Sequence, residues 1–116
     1  MKDRRREAER RGHRAEALAA WYLRLKGYSI LNRRVRVRGG EVDLVARKGR
    51  TIIFVEVKAR VDAISGDAAL AGHHLRRVGQ AAAALWPRYA DIADGYRIDA
   101  VVIMPGRWPV HLVGLD

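Results

Sequence analysis

Residues 39–60 read Gly39-Gly40-Glu41-Val42-Asp43-Leu44-Val45-Ala46-Arg47-Lys48-Gly49-Arg50-Thr51-Ile52-Ile53-Phe54-Val55-Glu56-Val57-Lys58-Ala59-Arg60. Two runs of period-two character flank Lys48-Gly49, where the glycine accepts the positive φ of a tight turn. The pattern predicts strands over 41–47 and 51–60 joined as a hairpin. Gly39-Gly40 marks an earlier turn, and 28–38 reads as a further strand before it. The hairpin is expected to set Glu41 opposite Glu56 and Asp43 opposite Phe54. Glu41, Asp43, Glu56 and Lys58 then share one face, which Ile52 and Phe54 make apolar before it turns charged. Asp43 and Glu56 become diagonal neighbours, roughly 7 Å apart at the backbone and closer at their carboxylates. A three-residue loop would flip one strand and separate them.

Outward from this hairpin the period changes to that of a helix. Ala15, Leu18, Tyr22 and Leu25 form a stripe that Trp21 widens, predicting a helix over 7–26 that Gly27 stops. The first six residues are expected to fray. A loop over 61–67 leads to a second predicted helix over 68–86, with Leu75, Val78, Ala82 and Leu85 on one side. Pro87 ends it, because the ring clashes with the carbonyl four residues back. A turn at Asp94-Gly95, a buried strand over 97–104, a loop over 105–109 and a short strand over 110–113 complete the chain. There is no repeat and no linker, so 1–116 reads as one domain of α/β class: a small mixed sheet with packed helices, in the order α-β-β-β-α-β-β.

Composition narrows the chemistry. The chain has 116 residues, 49% of them hydrophobic, which suffices for a core at this length. It has no cysteine, which removes disulfides, thiolate zinc sites and cysteine nucleophiles and suits the cytoplasm, the expected location. Lys and Arg number 23 against 13 acidic residues, for a net charge of +10. Most of the excess is arginine, the better bidentate partner for phosphate, so the composition points to a nucleic-acid backbone. A GC-rich genome, an acidic protein or an anionic membrane face would give the same excess.

Against that basic background, carboxylates gather at Glu41, Asp43 and Glu56. Two carboxylates this close repel, and a divalent cation bridging them resolves the conflict. Oxygen ligands favour Mg²⁺ or Mn²⁺ over zinc, and the Val57 carbonyl offers a further ligand. Phosphodiester cleavage needs such a cation, and a nearby ammonium such as Lys58 steadies charge growing on the phosphate. A half-exposed strand with alternating charged and β-branched residues gives the same pattern with no chemistry at all.

The segments 39–45 and 54–60 resemble the YraN-type family of small uncharacterised bacterial proteins, itself similar to Holliday-junction resolvases of the PD-(D/E)xK nuclease superfamily. Gly12, Ala15, Glu16, Ala19, Leu23 and Gly27-Tyr28 match the family's first helix, and Arg97-Ile98-Asp99 its late motif. The resemblance implies a restriction-endonuclease-like fold. By it, Asp43 and Glu56 are metal ligands, Lys58 is the catalytic lysine and Glu16 is an accessory acid. Helical projection alone makes Glu16 an ordinary surface residue, and Arg97 with Asp99 reads as a structural pair. The chain departs from the family pattern twice: His74 stands where a lysine opens the second helix's basic motif, and Arg34 where an asparagine precedes the Gly-Gly turn. Arg77 is kept.

Other chemistries find no support. His73 and His74 are adjacent on a helix and cannot chelate together, and His13 and His111 lack a ligand pattern. Neither Ser29 nor Ser65 sits in a nucleophile elbow, and there is no phosphate-binding glycine loop. Trp21, Trp86 and Trp108 read as core or hairpin packing, with Trp108 in its Gly-Arg-Trp-Pro loop the one to watch. The expected function is therefore Mg²⁺- or Mn²⁺-dependent hydrolysis of structured or branched DNA. Arg33, Arg34, Arg36, Arg38, Arg60, His74 and Arg77 would hold the nucleic acid. Two other readings stand beside it: an inactive DNA-binding module of the same fold, and a basic adaptor for an acidic protein. No membrane or small-molecule cofactor is expected. A homodimer would suit a two-fold junction, with no sequence signal for it.

Overall fold

The computed structural model describes residues 2–60 and 73–116; the side chains of 2–5, 7–9, 11 and 73–75 lie outside the description. Helix α1 (Lys2–Leu25) precedes strands β1 (Ser29–Val37), β2 (Gly40–Lys48) and β3 (Thr51–Ala59). Helix α2 (His73–Leu85) tightens into a 3₁₀ turn (Trp86–Arg88) before β4 (Gly95–Ile103) and β5 (Val110–Leu112). This is the expected α-β-β-β-α-β-β order. The five strands lie in one sheet in chain order, antiparallel except for the parallel β3–β4 pair. A parallel pair needs a long crossover, and the segment carrying α2 supplies it. The loop expected over 61–67 and the first residues of the helix expected over 68–86 fall outside the described residues.

Each face of the sheet buries a different helix. Val45, Ile52 and Phe54 pack with Val78, Ala81, Ala82 and Leu85 of α2, whereas Leu44, Ile53 and Val55 pack with Ala19, Ala20 and Leu23 of α1. Alternation along β2 and β3 thus feeds two cores, and Pro87 ends the α2 stripe where expected. Gly27 closes α1 at φ +91°.

The buried side of α1 is rotated from the expected one, keeping Ala15 and the half-buried Tyr22 of the expected stripe. Leu18, Trp21 and Leu25 are 47%, 46% and 62% exposed, while Ala15, Ala19, Ala20 and Leu23 are buried. Small side chains let the helix axis lie close to the sheet, with Leu23 the one large aliphatic side chain of α1 buried there, while Leu18, Trp21 and Leu25 are left outward. Glu16, four residues before Ala20 and seven before Leu23, comes inward with them, its side chain only 12% exposed. It is not the surface glutamate that projection suggested.

Both hairpin turns also sit one residue away from expectation. Val37 pairs with Gly40 and Lys48 with Thr51, so Arg38-Gly39 and Gly49-Arg50 are the loops. Gly39 and Gly49 carry the positive φ in each. Gly40 instead begins β2 against α2: a Cβ there would lie 2.6 Å from the Arg77 carbonyl oxygen and 3.1 Å from the Ala81 Cβ. Backbone cannot yield as a side-chain tip can. Gly40→Ala is expected to destabilise the fold by about 1–3 kcal/mol in urea unfolding; an unchanged midpoint would mean that α2 does not press on the hairpin.

Candidate functional site

The hairpin register differs from the expected one by two residues. Val45 pairs with Phe54 and Leu44 with Val55, so Asp43 does not face Phe54 and Glu41 does not face Glu56. Glu41 instead pairs across β1 with Arg36. Asp43 is the first β2 residue beyond the last pair and Glu56 the first on β3, close enough for the Glu56 charge to act on Asp43. The β2–β3 pairing ends at Leu44↔Val55, whereas β3 stays paired with β4 as far as Ala59. Asp43 and Glu56 therefore stand where the two strands part. Asp43 Oδ2 occupies the opening and accepts the Val57 N–H at 2.8 Å.

The regular alternation assumed for β2 also fails at this point. Val42 and Val45, three apart, both belong to the α2-side core. On the neighbouring strand, Arg34 has φ +52°, the one positive φ on a non-glycine residue among the described residues. Left-handed backbone favours glycine and asparagine, so an arginine here carries strain held by its surroundings. The guanidinium makes use of the twist: Arg34 Nε donates to Glu16 Oε1 at 2.7 Å and to Oε2 at 3.2 Å. Arg36 reaches Glu41 at 3.3 Å.

Glu56, Glu16 and Glu41 thus lie within electrostatic reach of Asp43. Asp43 is raised from 3.8 to about 7, chiefly by burial and further by Glu56, Glu16 and Glu41, against the lowering effect of the Val57 N–H. Lys58 Nζ lies 2.6 Å from Glu56 Oε1, both side chains largely buried. All four residues expected to carry chemistry (Asp43, Glu56, Lys58 and Glu16) are accordingly brought into one neighbourhood, with Val57 joined to it through its N–H.

The predicted basic residues divide. Arg34 and Arg36 turn to the acidic group, Arg33 and Arg38 are exposed, and Arg60 donates to the Ala59 carbonyl at the end of β3. Arg77 of α2 lines a shallow cleft with Arg36, Gly40 and Glu41, so two cations from distant parts of the sequence border Glu41. His74 lies in α2, but its side chain is outside the description.

Donor chemistry fits a hard divalent cation: oxygen ligands, crowded negative charge and partial burial. Among the described residues no group of three Asp, Glu or His side chains is gathered tightly enough to hold an ion as it stands. Glu56 is held by Lys58 and Glu16 by Arg34, so ligation requires at least one of these pairs to loosen.

Arg97 and Asp99 form a structural pair, as expected, within a larger network. Buried Asp99 accepts from Arg97 Nε at 2.9 Å and Nη2 at 3.1 Å, from the Gly114 N–H at 3.0 Å, and meets His111 Nε2 at 2.7 Å. Lys26 Nζ lies 2.6 Å from His111 Nδ1, which fixes the tautomer: Nδ1 accepts and Nε2 donates. His111 is a satisfied histidine, and His13 is exposed. Trp86 packs against the α2-side core, but Trp21 and Trp108 do not pack inside as expected; they stack on each other in the open. Their sequence context carries no sign of the pairing, which joins α1 to the loop after β4.

Among the described residues no helix is long and apolar enough to cross a membrane. Comparison with known proteins places the chain among bacterial relatives. A UPF0102 protein of Rhizorhabdus wittichii is 50% identical over 113 residues, spanning 97% of this chain and 96% of the relative. A UPF0102 protein of Sphingopyxis alaskensis is 54% identical over 106 residues, 91% of each chain. One from Mesorhizobium japonicum is 51% identical over 110 residues, 93% of this chain and 87% of its own. The family model for these proteins matches residues 15–103, a span that takes in Glu16, Asp43, Glu56 and Lys58 and ends with β4. The chain belongs to the uncharacterised protein family UPF0102.

Proposed function

We propose that this protein is a nuclease-like domain that hydrolyses phosphodiester bonds in structured or branched DNA with Mg²⁺ or Mn²⁺. The observation that carries the reading is geometric: Asp43 and Glu56 stand where β2 leaves β3, with Lys58 on Glu56 and Glu16 brought in by α1. A solvated strand face would not bury these acids in a chain of net charge +10. Asp43 and Glu56, with the Val57 carbonyl, would hold the cation. When bound, it supplies Lewis-acid polarisation of the phosphate and lowers the pKa of a coordinated water. Lys58 orients the attacking water or steadies charge on the phosphate, while Arg36 and Arg77 hold flanking phosphates. Glu16 is the reserve acid, released when Arg34 turns to the backbone.

The test is titration of Mg²⁺ and Mn²⁺ into the protein with labelled four-way-junction, flap, single-stranded and duplex DNA, reading binding and cleavage together. Metal-dependent cutting is expected, and Glu56→Gln should reduce it on the order of a hundredfold while sparing binding. Cleavage unchanged in Glu56→Gln would overturn the site. The second reading, a binding module without turnover, draws on the Glu56–Lys58 and Glu16–Arg34 pairs, which tie up the very groups that catalysis needs. It predicts binding that falls about 10³-fold between roughly 50 and 200 mM salt, with no metal-stimulated product.

A further inference from the structure

A groove of about 980 Å³ runs between α1 and the loop from β4 to β5, and it meets the candidate site at Lys58. Trp21 and Trp108 stand along it with ring centroids 6.1 Å apart and planes within 7° of parallel. Trp108 is 70% exposed and has Tyr22 tilted against it at 6.5 Å, so the stack is largely open to solvent at its Trp108 end. Leu18 adds exposed apolar surface beside them. Arg14, Lys58, Arg60 and Arg107 line the same groove, and among the described residues no Asp or Glu does.

Apolar surface of this kind marks a binding face, and two properties select its occupant. The lining cations call for an anion. Parallel open rings call for a flat π-system, and a nucleotide joins phosphate and base on one ligand. A second copy of this chain is disfavoured, because it would bring another +10 against the first. Fully paired DNA keeps its bases stacked on one another, so it has no free face to offer.

We infer that the groove binds an unpaired nucleotide, its base extending the Trp21–Trp108 stack and its phosphates lying along Arg14, Arg60 and Arg107. This deepens the reading of the neighbouring site as one for nucleic acid and rests on it: the substrate would carry a single-stranded segment next to the phosphate presented to Lys58. Sequence-tolerant stacking follows, since every base has a π-face.

The test is fluorescence polarisation with the full chain in EDTA, so that no cleavage intervenes. Three labelled probes are compared: a blunt duplex, the same duplex with a short oligothymidine overhang, and the same overhang built from abasic residues. The base-bearing overhang is expected to bind about tenfold more tightly than either other probe. Trp108→Ala should abolish that difference without changing the blunt-duplex affinity, and Trp108→Phe should keep most of it. Trp108 is exposed, so a melting curve matching the parent chain is expected and checks that the variant folds. Equal, salt-sensitive affinity for all three probes would overturn the inference and leave the nucleic-acid reading standing. Absence of binding to any probe would overturn both. A dimer in sedimentation that Trp108→Ala dissociates would overturn it in favour of a self-association face.

Discussion

Asp43→Asn is expected to make the protein more stable, not less, at about pH 8.5. Asp43 sits where β2 and β3 part, buried, with Glu56, Glu16 and Glu41 acting on it, and its pKa is raised to about 7. The sign follows from proton linkage. The folded state holds the Asp43 proton more tightly than the unfolded chain does. The resulting penalty is absent below the unfolded value of 3.8, grows as pH rises through the window between the two, and is complete above about 7. A rise from 3.8 to about 7 sets a ceiling of about 4 kcal/mol on that penalty. Asparagine retains an oxygen for the Val57 N–H and carries no charge at any pH. The variant should therefore melt several degrees to more than about ten degrees higher than the parent at alkaline pH, and level with it near pH 4. Mg²⁺ or Mn²⁺ should supply the same relief to the parent by binding only the folded state, and should do little for Asp43→Asn. Melting curves at both pH values, with and without metal, are the measurement. A variant less stable than the parent at about pH 8.5 would show that the carboxylate is compensated and that the site is not poised for a cation.

The elements were legible from the sequence because their punctuation is chemical. Gly27 ends a helix, Gly39 and Gly49 permit turns, and Pro87 halts a helix, so the order and the mixed sheet follow. The residues of the candidate site were legible for a related reason. A one-residue error in a single turn, Lys48-Gly49 for Gly49-Arg50, shifted the hairpin pairing by two residues and still left Asp43 and Glu56 near each other. Asp43 and Glu56 survived a register that was itself wrong. What could not be read was tertiary. The rule that large apolar residues point inward chose Leu18 and Trp21 for the core, whereas close approach to the sheet requires the small Ala19 and Ala20 there beside Ala15. Read as a stripe of small residues, that set would have carried Glu16 inward with it. The break in β2 between Val42 and Val45 and the left-handed Arg34 leave no pattern in one sequence, because both depend on which neighbour the twisted strand meets. The Trp21–Trp108 stack is of the same kind.

Asp99→Asn is expected to cost about 3–5 kcal/mol and to lower the melting midpoint by on the order of 10–20 °C. The carboxylate is fully buried and gathers donors from four places: Arg97 on its own strand, His111 on β5, the Gly114 N–H, and Lys26 at one remove through the imidazole. Burial alone would raise its pKa, but His111, Arg97 and the Gly114 N–H outweigh that and hold it below the ordinary carboxylate value. Stability from Asp99 is therefore present above pH 3.8 and is lost as pH falls through the lower folded value. An amide of equal size turns one acceptor into a donor facing Arg97 or His111, and leaves the part-buried Arg97 guanidinium without its counter-charge. Asp94 supplies the contrast, because its pair with Arg50 is as short, 2.8 Å, yet lies in solvent. Asp94→Asn should leave the melting curve nearly in place. The comparison also separates support from chemistry. Asp99 lies level with Val55 across the parallel β3–β4 pair, one residue from Glu56, so losing it loosens the strand that presents the candidate site. If that is its whole role, Asp99→Asn assayed well below its lowered midpoint should retain metal-dependent cleavage. Cleavage lost from a variant with an unshifted melting curve would instead make Asp99 part of the reaction, and would move the centre of the site from the β2–β3 opening toward β4.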